Sequence, residues 1–107
     1  MIDFKETQKL IEWRIGVGDI PMIKELFWTP LSDELSKNVN ETIDFWRTLT
    51  AEEFEYSLEC LDEIIQKTQS KKLLEAVKRI GIEKGCDMKN IVNSYIESAK
   101  CWLEDDE

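Results

Sequence analysis

Leu49-Thr50-Ala51-Glu52-Glu53-Phe54-Glu55-Tyr56-Ser57-Leu58-Glu59-Cys60-Leu61-Asp62-Glu63-Ile64-Ile65 carries both the start signal and the periodicity of an amphipathic helix. Thr50 and Glu53 have the spacing of a capping box, in which the hydroxyl accepts from the third helical N–H and the carboxylate reaches back to the cap. Leu49 before the cap and Phe54 at the fourth helical position are placed for a hydrophobic staple. Phe54, Leu58, Leu61 and Ile65 then recur at four, three and four, which predicts one buried stripe and a helix running to about Lys67.

The same spacing extends in both directions, and strand-type alternation is almost absent. Upstream, Asp3-x-x-Glu6 opens a first helix with Phe4, Leu10, Ile11 and Ile15 that stops at Gly16-Val17-Gly18. Pro21 suits the first position of a short second helix carrying Ile23, Leu26 and Phe27, expected to end before Thr29-Pro30 because the residue preceding a proline is pushed from helical geometry. Ser32 is expected to cap a third helix with Leu35, Val39, Ile43 and Trp46, closing near Leu49. Downstream, Ser70 caps a helix with Leu73, Leu74, Val77 and Ile80 that ends around Gly85, with Gly81 weakening its last turn. Asp87 caps a final helix whose Met88, Ile91, Val92, Tyr95, Ile96, Ala99, Trp102 and Leu103 form a broad apolar stripe. Four acids at its carboxyl end, Glu104-Asp105-Asp106-Glu107, oppose the macrodipole and are expected to fray. The predicted fold is all-α, a compact bundle of about five to six helices forming a single domain over residues 1–107.

Composition agrees with a folded domain, since 42% of the 107 residues are hydrophobic and only four Gly and two Pro interrupt them. A secretory start is missing from Met1-Ile2-Asp3-Phe4, and no run reaches the ~18 apolar residues of a membrane span, so a soluble, cytoplasmic protein is expected. Cys60, Cys86 and Cys101 are odd in number and lack CxxC spacing, which predicts reduced thiols rather than a disulfide framework or zinc cluster.

The chain has no histidine, which removes Ser-His and Cys-His pairs, imidazole zinc sites and the Glu-x-x-His pairs of helical di-iron proteins. Neither a P-loop nor a GxGxxG is present. No enzyme activity, cofactor or metal site is expected. Twenty-three acids against 14 bases give a net charge of -9, which disfavours direct nucleic-acid binding. The exception is the segment with Lys67, Lys71, Lys72, Lys78, Arg79, Lys84 and Lys89 against Glu75, Glu83 and Asp87, a local excess of base that suits RNA or an acidic protein but, without an RNA-stacking motif, reads first as a solvated face.

The acids on the capped helix are the strongest functional signal. With Phe54 set at zero, its apolar set lies within about 40° while Asp62, Glu55, Glu59, Glu52 and Glu63 fall between about 80° and 180°, which predicts one exposed acidic face. Glu52 and Glu53 suit the positive helix end, but Glu55-Glu59 and Glu59-Glu63 repel at i, i+4 by about 0.2–0.5 kcal/mol each. Lys71 and Lys78 point away from their own helix's apolar face and are not expected to neutralise them. The face reads either as plain solvated surface or as a partner surface comprising Glu52, Glu55, Tyr56, Glu59, Asp62 and Glu63. Trp13 and Trp28 fall off the strongest apolar positions and are candidate anchors, whereas Trp46 and Trp102 are expected in the core.

Small, acidic, histidine-free and all-helical, the chain as a whole resembles the immunity proteins that bacteria pair with toxic nucleases of the colicin and contact-dependent growth inhibition types. The resemblance implies an inhibitor that binds a basic, RNA- or DNA-cleaving toxin domain, with RNA the expected substrate, and presents carboxylates where phosphates would bind. Opposite fields speed such association. The alternative is a helical adaptor or regulatory subunit that docks through a hydrophobic groove, its charge serving solubility.

Overall fold

The computed structural model describes residues 1–104, so the fraying expected of the acidic end falls, beyond Glu104, outside the described residues. Six helices and no strand are found among them. Helix α1 is Phe4–Val17, and α2 is a π-helical turn Lys24–Trp28 continuing into Thr29–Leu35. Helix α3 is Val39–Thr48. Helix α4 comprises Ala51–Ser57, a 3₁₀ turn Leu58–Cys60 and Leu61–Thr68. Helix α5 is Lys71–Lys84, and α6 is a π turn Met88–Val92 followed by Asn93–Lys100.

Most helix starts form as their sequences dictate. The box at Thr50 is complete in both directions, with Glu53 N–H donating to Thr50 Oγ1 at 3.1 Å and Thr50 N–H to Glu53 Oε1 at 3.0 Å. Ser70 and Asp87 cap α5 and α6 through Leu73 N–H and Asn90 N–H. Gly85 ends α5 in the left-handed conformation at φ 74°, as a glycine there allows. Asp3 caps α1, but its own N–H is taken at 3.0 Å by Glu34 of α2 rather than by Glu6.

Helix α2 departs from the sequence reading at both ends. The chain turns at Pro21 and Met22, the latter at φ 67°, so Pro21 does not open a helix. Further on, Thr29-Pro30 lies inside the helix. A proline mid-helix clashes with the carbonyl four residues back and leaves it without a donor. Here the π turn, closed by Thr29 N–H on Lys24 C=O, shifts the hydrogen-bond register immediately before Pro30 and lets the helix pass. Ser32 is consequently buried within α2 and caps nothing; Asn38 caps α3 instead, accepting from Glu41 N–H at 2.9 Å. Thr42 Oγ1 donates to Leu35 C=O at 2.6 Å and ties α3 to the end of α2.

Helix α4 is the central element, packed against α1, α2, α5 and α6, while α3 covers α5. Its buried set is Phe54, Ser57, Leu58, Cys60, Leu61, Ile64 and Ile65, wider than the predicted stripe because neighbours cover it on several sides. Phe27, Leu31, Leu35, Phe45, Trp46, Leu73, Val77 and Val92 complete the core. Trp46 meets Phe54 edge-on with ring centroids 5.9 Å apart. Gly81 is buried where α6 crosses α5, and a Cβ there would lie 2.8 Å from Met88 Sδ and 3.3 Å from Val92 Cγ1. Its role is close approach rather than weakness. No described helix is long and apolar enough to cross a membrane.

Candidate functional site

Glu59 sits in the 3₁₀ turn of α4, where the tighter winding shifts the phase of the acids that follow. Arg14 of α1 grips it with both arms, Nε to Oε1 at 3.0 Å and Nη2 to Oε2 at 2.9 Å. Trp28 Nε1 donates to the same Oε1 at 3.1 Å, and Arg14 Nη1 donates to Gly18 C=O at 2.8 Å. The guanidinium also lies over the Tyr56 ring, 5.1 Å from its centroid. Only 8% of the Arg14 side chain and 16% of the Glu59 side chain reach solvent. Burial opposes the charge on Arg14, but the hydrogen bonds and charge of Glu59 outweigh it and hold the guanidinium above its ordinary value.

This pairing corrects the expectation that all the acids share an unpartnered, exposed face. Among the predicted site residues only Glu52 is fully exposed; Glu55, Tyr56, Glu59, Asp62 and Glu63 are half-buried because α1, α2 and α6 rise beside α4. Asp62 accepts from Ser98 Oγ at 2.9 Å, and Glu63 lies 3.3 Å from Ser32 Oγ. Lys67 bridges Ser32 and Asp33. The lysines of α5 stay away, as their phase on the helix predicts, and Lys72 bonds Asn40. Charge compensation comes from Arg14.

The six predicted residues nonetheless come together, around two clefts that meet at Glu59. The first, about 370 Å³, is lined by Glu52, Glu55, Tyr56 and Glu59 of α4 and by Ile91 and Tyr95 of α6. The second, about 590 Å³, runs past Glu59, Asp62 and Glu63 to Lys24, Trp28, Lys67 and Trp102. Trp102 is therefore not a core residue: it is 47% exposed and stands at the rim. Its carbonyl accepts from Gln69 Nε2 at 2.9 Å while Gln69 Oε1 accepts Glu104 N–H at 2.7 Å, so one amide fixes the chain beyond α6. Trp13, the other candidate anchor, is exposed on α1 and lines neither cleft.

The first cleft carries a negative field. Burial pushes the Tyr95 phenol up and Glu59 pushes it further. The Cys86 thiol is raised to about 11, first by burial and then by the charge of Glu55. Both groups stay neutral at ordinary pH. Among the described residues no three His, Cys, Asp or Glu side chains converge as metal ligands. The arrangement offers carboxylates and aromatic faces to a cation.

Sequence reasoning missed Arg14, Ile91 and Tyr95 as site residues. Arg14 had a readable signal, since Thr7, Ile11 and Arg14 follow one another at four and three along the buried face of α1. A base on such a face needs a buried acid. Ile91 and Tyr95 belong to the apolar stripe of α6 and gave no separate signal. No protein-family model, curated protein or solved structure matches this chain.

Proposed function

We propose that this chain is an immunity protein that binds and neutralises a basic, RNA-cleaving nuclease toxin through the face around Glu59. The observation that carries the reading is the pair of adjoining clefts, which place Glu52, Glu55, Asp62 and Glu63 beside Tyr56, Tyr95, Trp28 and Trp102. Aromatic anchors with peripheral carboxylates suit an interface in which packing gives affinity and charge gives speed and selectivity. The net charge of -9 adds long-range attraction for a basic partner and repels RNA itself.

The test uses the gene lying directly before this one. Its product should carry a basic carboxyl-terminal domain that cleaves RNA, and equimolar addition of this protein should abolish cleavage. Undiminished cleavage, or a neighbour with no such domain, would contradict the proposal. The adaptor reading draws on the apolar walls of the second cleft and on Leu26 and Ile82, which are exposed. It predicts salt-insensitive binding to a partner of no particular charge.

A further inference from the structure

We infer that the cleft between Glu52, Glu55, Tyr56, Ile91 and Tyr95 is a seat for a single arginine side chain of the partner protein, an inference that rests on the proposed binding of a basic protein at this face. Its volume of about 370 Å³ lies at the small end of the ~300–1,000 Å³ typical of ligand clefts, the right scale for one long side chain. Three carboxylates line it, and Glu52 and Glu55 have no cation in ion-pair contact among the described residues. Tyr56 and Tyr95 supply ring faces, and Ile91 supplies an apolar wall for methylene groups.

The molecule already holds one guanidinium in this manner. Arg14 makes a two-armed bond to Glu59 and lies over Tyr56, and both of those residues also line the cleft. Glu55 stands one helical turn before Glu59 on α4, with Tyr95 on the helix opposite, so beside the Arg14–Glu59 pair the cleft repeats a carboxylate and a ring, and this second carboxylate has no base in ion-pair contact among the described residues. Arginine fits better than lysine, because a planar, weakly hydrated fork can engage a carboxylate and stack on tyrosine at once, while an ammonium keeps its water. Burial is the first cause of the raised Tyr95 phenol and Cys86 thiol, and the charges of Glu59 and Glu55 add to it a negative field that such a cation would relieve.

The experiment titrates the purified protein with N-acetyl-arginine amide at low ionic strength while NMR follows the Tyr56 and Tyr95 ring signals. N-acetyl-lysine amide and N-acetyl-norleucine amide serve as comparators. Saturable shifts at both rings with arginine, weaker ones with lysine and none with norleucine are expected. Glu52→Gln/Glu55→Gln should weaken arginine binding by about fivefold or more without lowering the melting temperature. Equal responses to arginine and lysine, or shifts spread evenly over all the acidic helices, would overturn the seat. Its failure is distinguishable from that of the inhibitor reading. Full nuclease inhibition by the double variant overturns the seat alone, whereas arginine binding without nuclease inhibition supports the seat and overturns the inhibitor.

Discussion

At the level of single residues, Glu59 has a structural task that its position on an acidic helix conceals. Removing its charge leaves the buried Arg14 with only the exposed Asp19 carboxylate, 3.6 Å from Nη2, as counterion, and Trp28 Nε1 keeps only a neutral acceptor. Glu59→Gln should therefore lower stability by about 2–3 kcal/mol, somewhat below the roughly 3–5 kcal/mol for breaking a fully buried pair. Chemical denaturation reads this directly, and an unchanged midpoint would refute it. Glu52→Gln/Glu55→Gln should move the midpoint little, because neither side chain is ion-paired among the described residues and the small loss at the helix start is offset by relief of the Glu55–Glu59 repulsion. Glu34 adds a pH dependence. Its carboxyl is held below the usual carboxylate range, first by the hydrogen bond from Lys37 and then by that from Asp3 N–H. A depressed carboxyl contributes stability that is fully present above its unfolded value and is lost as pH falls through its folded value. The difference in melting temperature between wild type and Glu34→Gln should accordingly be largest near neutrality and shrink below about pH 4. The acids of α4 were legible as a cluster, but their pairing was not, because Arg14 lies 45 residues away and periodicity reports only a residue's own helix.

Among the helices, agreement followed local chemistry. The caps at Asp3, Thr50, Ser70 and Asp87 and the glycine end at Gly85 all formed, since each rests on groups a few residues apart. Thr50→Ala should cost about 1 kcal/mol, read as a drop in the denaturation midpoint, and Thr50→Ser should restore most of it. The expected break at Thr29-Pro30 failed because a π turn solves the proline problem without ending the helix, and nothing in five residues announces that register change. Burying Phe27, Leu31 and Leu35 on one continuous element favours that solution. Gly81 teaches the same lesson. Its sequence suggests a weak turn, yet α6 crosses there so closely that a Cβ would meet the side chains of Met88 and Val92. Gly81→Ala, though better for an isolated helix by about 1 kcal/mol, must push the Met88 thioether aside and crowd Val92, so it should bring no gain in stability, and a rise in melting temperature of several degrees would contradict the close crossing.

For the molecule as a whole, the all-α class and the acidic balance could be read from the chain, whereas the two clefts could not. Helix phase alone placed the acids on open surface. Only the packing of α1, α2 and α6 around α4 turns them into groove walls and brings Tyr95 and Trp102 beside them. Trp102 shows the limit most plainly, since its helical phase matches the core but the helix ends at Lys100 and the Gln69 amide holds the chain at the rim. The most direct measurement is the association rate of this protein with the basic nuclease that the proposed function expects to be encoded beside it, for wild type and Glu52→Gln/Glu55→Gln, across a range of ionic strength. The two carboxylates should make wild type several-fold faster at about 0.01 M salt, with the difference vanishing toward about 1 M as screening shortens the Debye length from about 30 Å to about 3 Å. A folded double variant that associates as fast as wild type at low salt would contradict recognition through this cleft face.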